Sequence, residues 1–293
     1  MAFDPTFFFL GHQHSTVTTT TVLTSGTSIA GYSKEFVRDP NFILGWRAPA
    51  GTGSVYIGYD LGGTPGVREV VIGYDPRTGS LQDSVDLQYA DDAAFTSPTT
   101  VGVPLSFHPY ATWGIPIGIR RVTLGSTITK RYWRLLCTYA DRYSSSIMPK
   151  ITFFGLYGNN PVSDRFSYAD FGYSQPIEPG ELSTIYATAQ DETLALVPVV
   201  NAYGGSRCEF EVSLRSTTVT VAQKIQRWAE KVTRRATYVE FDGIYPNFDD
   251  RGDSGGSTYY GTFARLIDDT LKFYRYHTGI YDITFKMRSE PWL

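Results

Sequence analysis

The stretch "SVYIGYDLG" (residues 54–62), followed after a short Gly- and Pro-containing turn by "VREVVIGYD" (67–75), decides the fold class. Both runs are rich in aromatic and β-branched residues and are bracketed by glycine and proline, which predicts two strands joined by a turn. The pattern repeats outward. "TVTTTTVLT" (16–24) is mostly β-branched, and "SVDLQYADD" (84–92) alternates Val85, Leu87 and Tyr89 on one face. "RRVTLGSTITKRYWRLLCTYA" (120–140) and "PKITFFGLYG" (149–158) complete the series. Short strands at this spacing, with no helical pattern between them, predict an all-β sandwich. The composition agrees, with 21 Tyr and 18 Phe among 293 residues and 28 Gly punctuating the length.

The texture changes after "GNNPVSD" (158–164), where Gly, Asn and Pro cluster. "TVAQKIQRWAEKVTRR" (220–235) sets Val221, Ile225, Trp228, Ala229 and Val232 on one stripe with charges opposite, the pattern of an amphipathic helix. "GTFARLIDDTLKFYRY" (261–276) shows similar spacing in Phe263, Leu266, Ile267, Leu271 and Tyr274, which predicts a second helix. "ATYVEFDGIYP" (236–246) between them, and "GIYDITFKMR" (279–288) after them, read as strands. The expected layout is an N-terminal arm or first strand (1–24), an all-β sandwich (25–158) and an α+β domain with two helices against a sheet (159–293).

A net charge of −3 gives no basic footprint for nucleic acid. Cys137 and Cys208 fall on opposite sides of the expected boundary, so a bridge between them is not expected, and no Cys/His cluster offers a zinc site. The start, "MAFDPTFFFLGHQHS", has no basic residue ahead of its apolar run, unlike a signal peptide. No apolar run approaches about 18 residues, the span of a membrane helix.

Four segments in order give the first part a family likeness. "FVRDPNFILGWRAP" (36–49) carries Asp39, Asn41 and Trp46 in an early loop; "VYIGYDLG" (55–62) ends in Asp-Leu-Gly; "KRYWRLLCT" (130–138) and "ITFFGLYG" (151–158) read as the penultimate and closing strands. Together they resemble the discoidin-like module, also called the coagulation factor 5/8 type C module, over roughly residues 25–158. The resemblance implies an eight-stranded jelly roll that binds glycans, lipid head groups or proteins through loops at one end. On this chain those loops include 38–48, with 75–83 and 107–116. The ligand-binding candidates it marks are Trp46, Arg47, His108, Tyr110 and Trp113, aromatic faces and a guanidinium that could hold a sugar. Trp46, Tyr110 and Trp113 also fit a reading as core residues. Asp39 and Asn41 are weak candidates for the calcium that many sugar-binding members hold. Phe153 stands where such members place a Glu on the last strand, so no metal and no cofactor is expected.

"DDRGDSGGSTYYG" (249–261) contains Gly-Asp-Ser-Gly-Gly, the surroundings of the nucleophile in chymotrypsin-like proteases. A nucleophilic Ser254 needs a base, and His12, His14, His108 and His277 all lack the family context. The string reads as a loop of turn-forming residues, as does the overlapping adhesion tripeptide Arg251-Gly252-Asp253. His12 and His14 could share one face of a strand, but no third metal ligand lies near them in sequence. No catalytic residue is assigned.

In the second part, "YVEFDG", "FARLIDDTLKFY" and "YDITFKMR" resemble, in pattern only, small domains of bacteriophage tail-tube and distal-tail proteins. The leading expectation is therefore a structural component of a virus particle, a phage tail or baseplate protein. It would be made in the host cytoplasm and assembled with other virion subunits and copies of itself, its jelly roll decorating the surface or contacting host glycans. Neither nucleic acid binding nor membrane insertion is expected. The alternatives are a soluble carbohydrate-binding module and a hydrolase using Ser254.

Overall fold

The computed structural model describes residues 7–10, 13–14, 17, 19–25, 28, 30–40, 44–47, 54–75, 85–101, 118–138, 150–158, 165–167, 177–179, 183–185, 188–192, 198–202, 207–232, 236–241 and 261–289. The chain forms two compact units, one of Leu10–Arg165 and one of Met1–Phe9 with Phe166–Leu293. The first strand, β1 (Phe7–Leu10), lies in the sheet of the second of these. The next eight build the first: β2 (Thr21–Thr24), β3 (Ser54–Asp60), β4 (Gly66–Asp75), β5 (Val85–Ala90), β6 (Thr99–Thr100), β7 (Gly118–Thr129), β8 (Tyr132–Thr138) and β9 (Lys150–Tyr157). The segment 1–24, expected as an arm or first strand, thus supplies β1 and β2 to two different sheets.

In Leu10–Arg165 the strands pair antiparallel into a five-stranded sheet, β2-β3-β8-β5-β6, and a three-stranded sheet, β7-β4-β9. Alternation turns one face of each sheet inward. Ile57 and Tyr59 of β3, Trp133 and Leu135 of β8, and Val85 and Leu87 of β5 meet Val70 and Ile72 of β4 and Phe154 and Leu156 of β9 in one buried cluster. This two-layer core is the expected jelly-roll sandwich. Cys137 is buried in it.

Tyr59 fastens the two layers. Its ring stacks on Phe154 at 5.1 Å, and its hydroxyl donates to the Phe154 carbonyl at 2.7 Å, with the Val37 carbonyl 3.3 Å away. Val37 belongs to a single 3₁₀ turn, Lys34–Arg38, tied to β2 by Lys34 Nζ donating to the Val22 carbonyl at 2.8 Å.

The other unit contains β10 (Arg165–Ser167), β11 (Ile177–Pro179), β12 (Ser183–Ile185), β13 (Thr188–Glu192), β14 (Pro198–Ala202), β15 (Arg207–Thr218), α1 (Val219–Val232), β16 (Thr237–Phe241), β17 (Gly261–Leu266), β18 (Lys272–His277) and β19 (Ile280–Ser289). A nine-stranded sheet runs β10-β1-β16-β17-β19-β15-β11, with β12 also on β15 and β18 on β19; β13 and β14 form a separate pair. The helix stripe read from sequence is the face that packs. Ile225, Trp228 and Val232 bury against Val212, Ile283, Phe285 and Met287, with the Trp228 and Phe285 rings 5.6 Å apart. Thr218 caps the helix by accepting from the Val221 amide at 3.4 Å.

The second predicted helix is not there: residues 261–276 form β17 and β18. Between the strands the chain turns through Asp269, at φ 63°, where the Thr270 hydroxyl donates to the Ile267 carbonyl at 2.6 Å. Two short period-two strands joined by a four- or five-residue turn place apolar residues at intervals that mimic a helical stripe. The paired aspartates at the turn and the aromatic run of β18 favour strands once β19 offers a ladder. The fold is therefore mostly β, with a single α-helix among the described residues. No helix among them is long and apolar enough to cross a membrane.

Replacing Tyr59 by Phe keeps the stacked ring but leaves the Phe154 carbonyl without its buried donor. Thermal or urea unfolding is expected to show a loss of about 1–3 kcal/mol.

Candidate functional site

The early loop is held by its tryptophan. The Trp46 amide donates to the Ile151 carbonyl at 2.8 Å, and the Ile151 amide returns a bond to the Trp46 carbonyl at 3.0 Å. This isolated bridge pins the loop to the first turn of the last sandwich strand. Trp46 itself is only 1% exposed and packs in the core, so its ring is not offered to a ligand. Of the two readings open in the sequence, the core one holds.

Arg47 follows on the opposite side of the chain. It is half-buried, and its guanidinium lies 4.8 Å over the Tyr32 ring. Tyr32 was not visible as a candidate, because it precedes the 3₁₀ turn with nothing in its local pattern to link it to Arg47. Leu44, beside them in sequence, is 41% exposed. A cation stacked on a phenol, next in sequence to the fixed Trp46, is a surface able to take a polar ring. The aromatic face packs against C–H groups, and the guanidinium gives directional hydrogen bonds. Asp39, the C-cap of the 3₁₀ turn, is exposed. No group of three metal-ligating side chains occurs among the described residues. Phe153, on the last sandwich strand, is fully buried. Asn41, His108, Tyr110, Trp113, His12 and Ser254 lie outside the described residues.

The Asp-Leu-Gly turn and the "KRYW" segment meet at another point. Arg131 donates bidentately to Asp60, Nε to Oδ1 at 2.6 Å and an η-nitrogen to Oδ2 at 2.9 Å. Asp60 also accepts from the Gly62 amide at 2.9 Å, and Leu61 tucks into the core. Gly62 adopts φ 69°, and a Cβ there would lie 2.9 Å from the Thr19 carbonyl oxygen, so this turn needs glycine. The hydrogen bond from Arg131 holds the Asp60 carboxyl below the ordinary carboxylate range. Beside this turn a cleft of about 310 Å³ is lined by His14, Thr19, Leu61, Gly62 and Thr64 among others, with no Phe, Tyr or Trp among the described lining residues. His14 is engaged there, its Nε2 3.2 Å from the Gly66 carbonyl.

A third cluster lies on the outward face of the five-stranded sheet. The Arg134 guanidinium sits 4.2 Å from the Phe95 ring and 5.2 Å from that of Tyr56, and its Nε donates to Gln88 Oε1 at 2.8 Å. Gly58, paired with Arg134, leaves no room for a Cβ, which would fall 2.3 Å from the Trp133 carbonyl oxygen. Burial lowers the Arg134 pKa. Phe95 closes the cluster at 4% exposure, its φ of 52° held by a turn in which its amide donates to the Asp92 carbonyl at 3.2 Å. This arrangement is a closed structural contact rather than an open site.

No protein-family model matches the chain, and no curated protein matches it. Solved structures similar to it include carbohydrate-binding modules. A chitosan-binding module from the chitosanase/glucanase of Paenibacillus sp. IK-5 is 20% identical, with a TM-score of 0.40, covering 50% of this chain and 99% of that one. The family 32 carbohydrate-binding module of C. perfringens NanJ, solved in complex with galactose, is 12% identical with a TM-score of 0.37, covering 51% of this chain and 98% of its own. A fucosidase of Ruminococcus gnavus, solved in complex with fucose, is 16% identical with a TM-score of 0.39, covering 51% of this chain and 27% of that one.

Truncating Trp46 to Ala empties a large buried volume beneath the loop and is expected to cost about 3–5 kcal/mol in chemical unfolding. Replacing Asp60 by Asn tests the ion pair. Because the folded carboxyl titrates below its ordinary value, its stabilisation is full above about pH 4 and fades as the pH falls through the lowered value. The stability difference between the wild type and Asp60→Asn should therefore shrink on acidification below that point, as followed by melting temperature across pH.

Proposed function

We propose that the sandwich, Leu10–Arg165, is a carbohydrate-binding module, and that the chain acts by binding rather than by catalysis. The observation that carries this reading is the Trp46 clasp: one residue sinks into the core and bridges Ile151, and the next holds a guanidinium over Tyr32 at the surface. A rigid loop that presents a stacked cation–aromatic pair lowers the ordering cost of gripping a weakly hydrophobic, hydroxyl-rich ring. The discoidin-like resemblance of the same four segments favours this class of ligand, and it marks His108, Tyr110 and Trp113 as further candidates.

A place in a phage tail or baseplate was the leading expectation from sequence. It rested on a strand–helix–strand pattern near the C-terminus, and the helix of that pattern, 261–276, is two strands. The comparisons bring nothing in favour of that reading.

The test is a glycan array probed with the full chain, followed by titration of any hit. Specific sugar binding is expected, with Arg47→Ala and Tyr32→Ala each weakening it by about tenfold, the worth of one lost contact of about 1.4 kcal/mol. Their melting temperatures should stay within a few degrees of wild type, since both groups are only half-buried and belong to neither core cluster. Binding unchanged by both substitutions would remove the clasp from the site.

A further inference from the structure

Arg38, Arg121, Arg131 and Arg134 of the sandwich are all answered by acceptors of the chain. Arg121 donates to Glu69 and Thr123, Arg131 to Asp60, Arg134 to Gln88, and Arg38 to the Thr20 carbonyl beside its ion pair with Glu35. Arg47 is not. Among the described residues its side chain has neither a hydrogen bond nor an ion pair, and its Nε is buried without an acceptor. What holds it is the Tyr32 ring, 4.8 Å from the guanidinium carbon. A buried donor left unmatched costs free energy, and a guanidinium cannot escape that cost by shedding its proton. No carboxylate of the early loop supplies the missing charge. Residues 30–47 carry Lys34, Arg38 and Arg47 against Glu35 and Asp39. Glu35 is taken by Arg38 at 3.0 Å, and Asp39 is exposed with no cation on it. Lys34 is likewise not neutralised, its Nζ donating to the Val22 carbonyl at 2.8 Å.

We propose that the ligand of this clasp is an acidic sugar, one whose ring carries a carboxylate, and that Arg47 selects it by receiving that carboxylate. The inference rests on the reading of the sandwich as a carbohydrate-binding module. Guanidinium and carboxylate are both planar, and two N–H groups of the fork match the two carboxylate oxygens. Such a charge-assisted pair is roughly twice as strong as the neutral hydrogen bond a sugar hydroxyl offers. The cover over Nε and the ring against the guanidinium exclude part of the water that would screen the charge, so an arriving anion meets a stronger field. Lys34, two residues from Tyr32, adds to the positive potential of the segment. Little ordering remains to be done on binding. Tyr32 fixes the guanidinium, and the Trp46–Ile151 bridge fixes the backbone beside it. A neutral sugar leaves the charge unanswered. A sulfate ester is tetrahedral and hangs from the ring on a rotatable oxygen, whereas a ring carboxylate is planar and bonded directly to the ring carbon.

The experiment is calorimetric titration of the full chain with galacturonate, glucuronate and sialic acid oligosaccharides, each beside its own methyl ester, which removes the charge and keeps the ring. Sulfated sugars, neutral sugars and polyglutamate complete the panel. The expected result is an acidic sugar bound about tenfold or more tighter than its ester, with the difference shrinking as sodium chloride is raised. Arg47→Gln should erase the difference between acid and ester, and Arg47→Lys, which keeps the charge and loses the fork, should retain only part of it. Acid and ester bound equally, or a preference that survives Arg47→Gln, overturns the proposal while sugar binding itself stands. Tighter binding of the sulfated sugars overturns the carboxylate, and equal binding of polyglutamate overturns the sugar. If Arg47→Gln does not fold, the ratio of acid to ester in the wild type and in Arg47→Lys decides by the same criteria. No binding of any sugar, charged or neutral, removes the module reading and this proposal with it.

Discussion

The last sandwich strand is the outer member of a three-stranded sheet, and its free side must be covered. A strand bonded on one side leaves amides and carbonyls that cost free energy if buried without partners. Three separate pieces of chain meet that demand. Trp46 exchanges both backbone bonds with Ile151, the Tyr59 hydroxyl takes the Phe154 carbonyl, and Gln13 bridges Tyr157. Each comes from a different part of the sequence, so covering one edge ties the early loop, strand β3 and the N-terminal segment to the same line. The position of the candidate surface is a consequence of this, since Arg47 is placed by the residue before it.

The remaining polar groups in the unit follow the same rule of satisfaction. Glu69 is fully buried on β4, and it is matched by Arg121 at 3.3 Å and by the Thr123 hydroxyl at 2.7 Å. Asp60 ends β3 with three donors around it. Asp60 sits where β3 ends and its turn begins, whereas Glu69 lies within β4, next to the register shift between Val67 and Glu69. Exposed ion pairs elsewhere, such as Lys130 with Asp91, contribute little to stability.

In the other unit a single helix covers one face of the sheet, and the opposite face carries cross-strand charge pairs, Glu209 with Arg288 and Glu211 with Lys286 at 3.4 Å. One face packed and one face charged is the expected division for an antiparallel sheet with water on one side. The hairpin β18–β19 departs from it by exposing aromatic rings at its edge.

The period-two alternation of Val85, Leu87 and Tyr89, and of Tyr281, Ile283 and Phe285, determined strands and their buried faces, because alternation is a local property of the backbone. The stripe of Val221, Ile225, Trp228 and Val232 determined α1 for the same reason. Residues 261–276 defeated that reasoning: their spacing fits a helix, and only the ladder offered by β19 made two strands the better solution. Likewise Trp46 was legible as either a ligand-binding or a core residue, and only packing chose between the two, while Tyr32 and Phe95 were not legible at all, since an Arg finds its ring through contacts between distant segments. Local periodicity is written in the chain, whereas which edge is covered, and by whom, is decided only when the sheets pack.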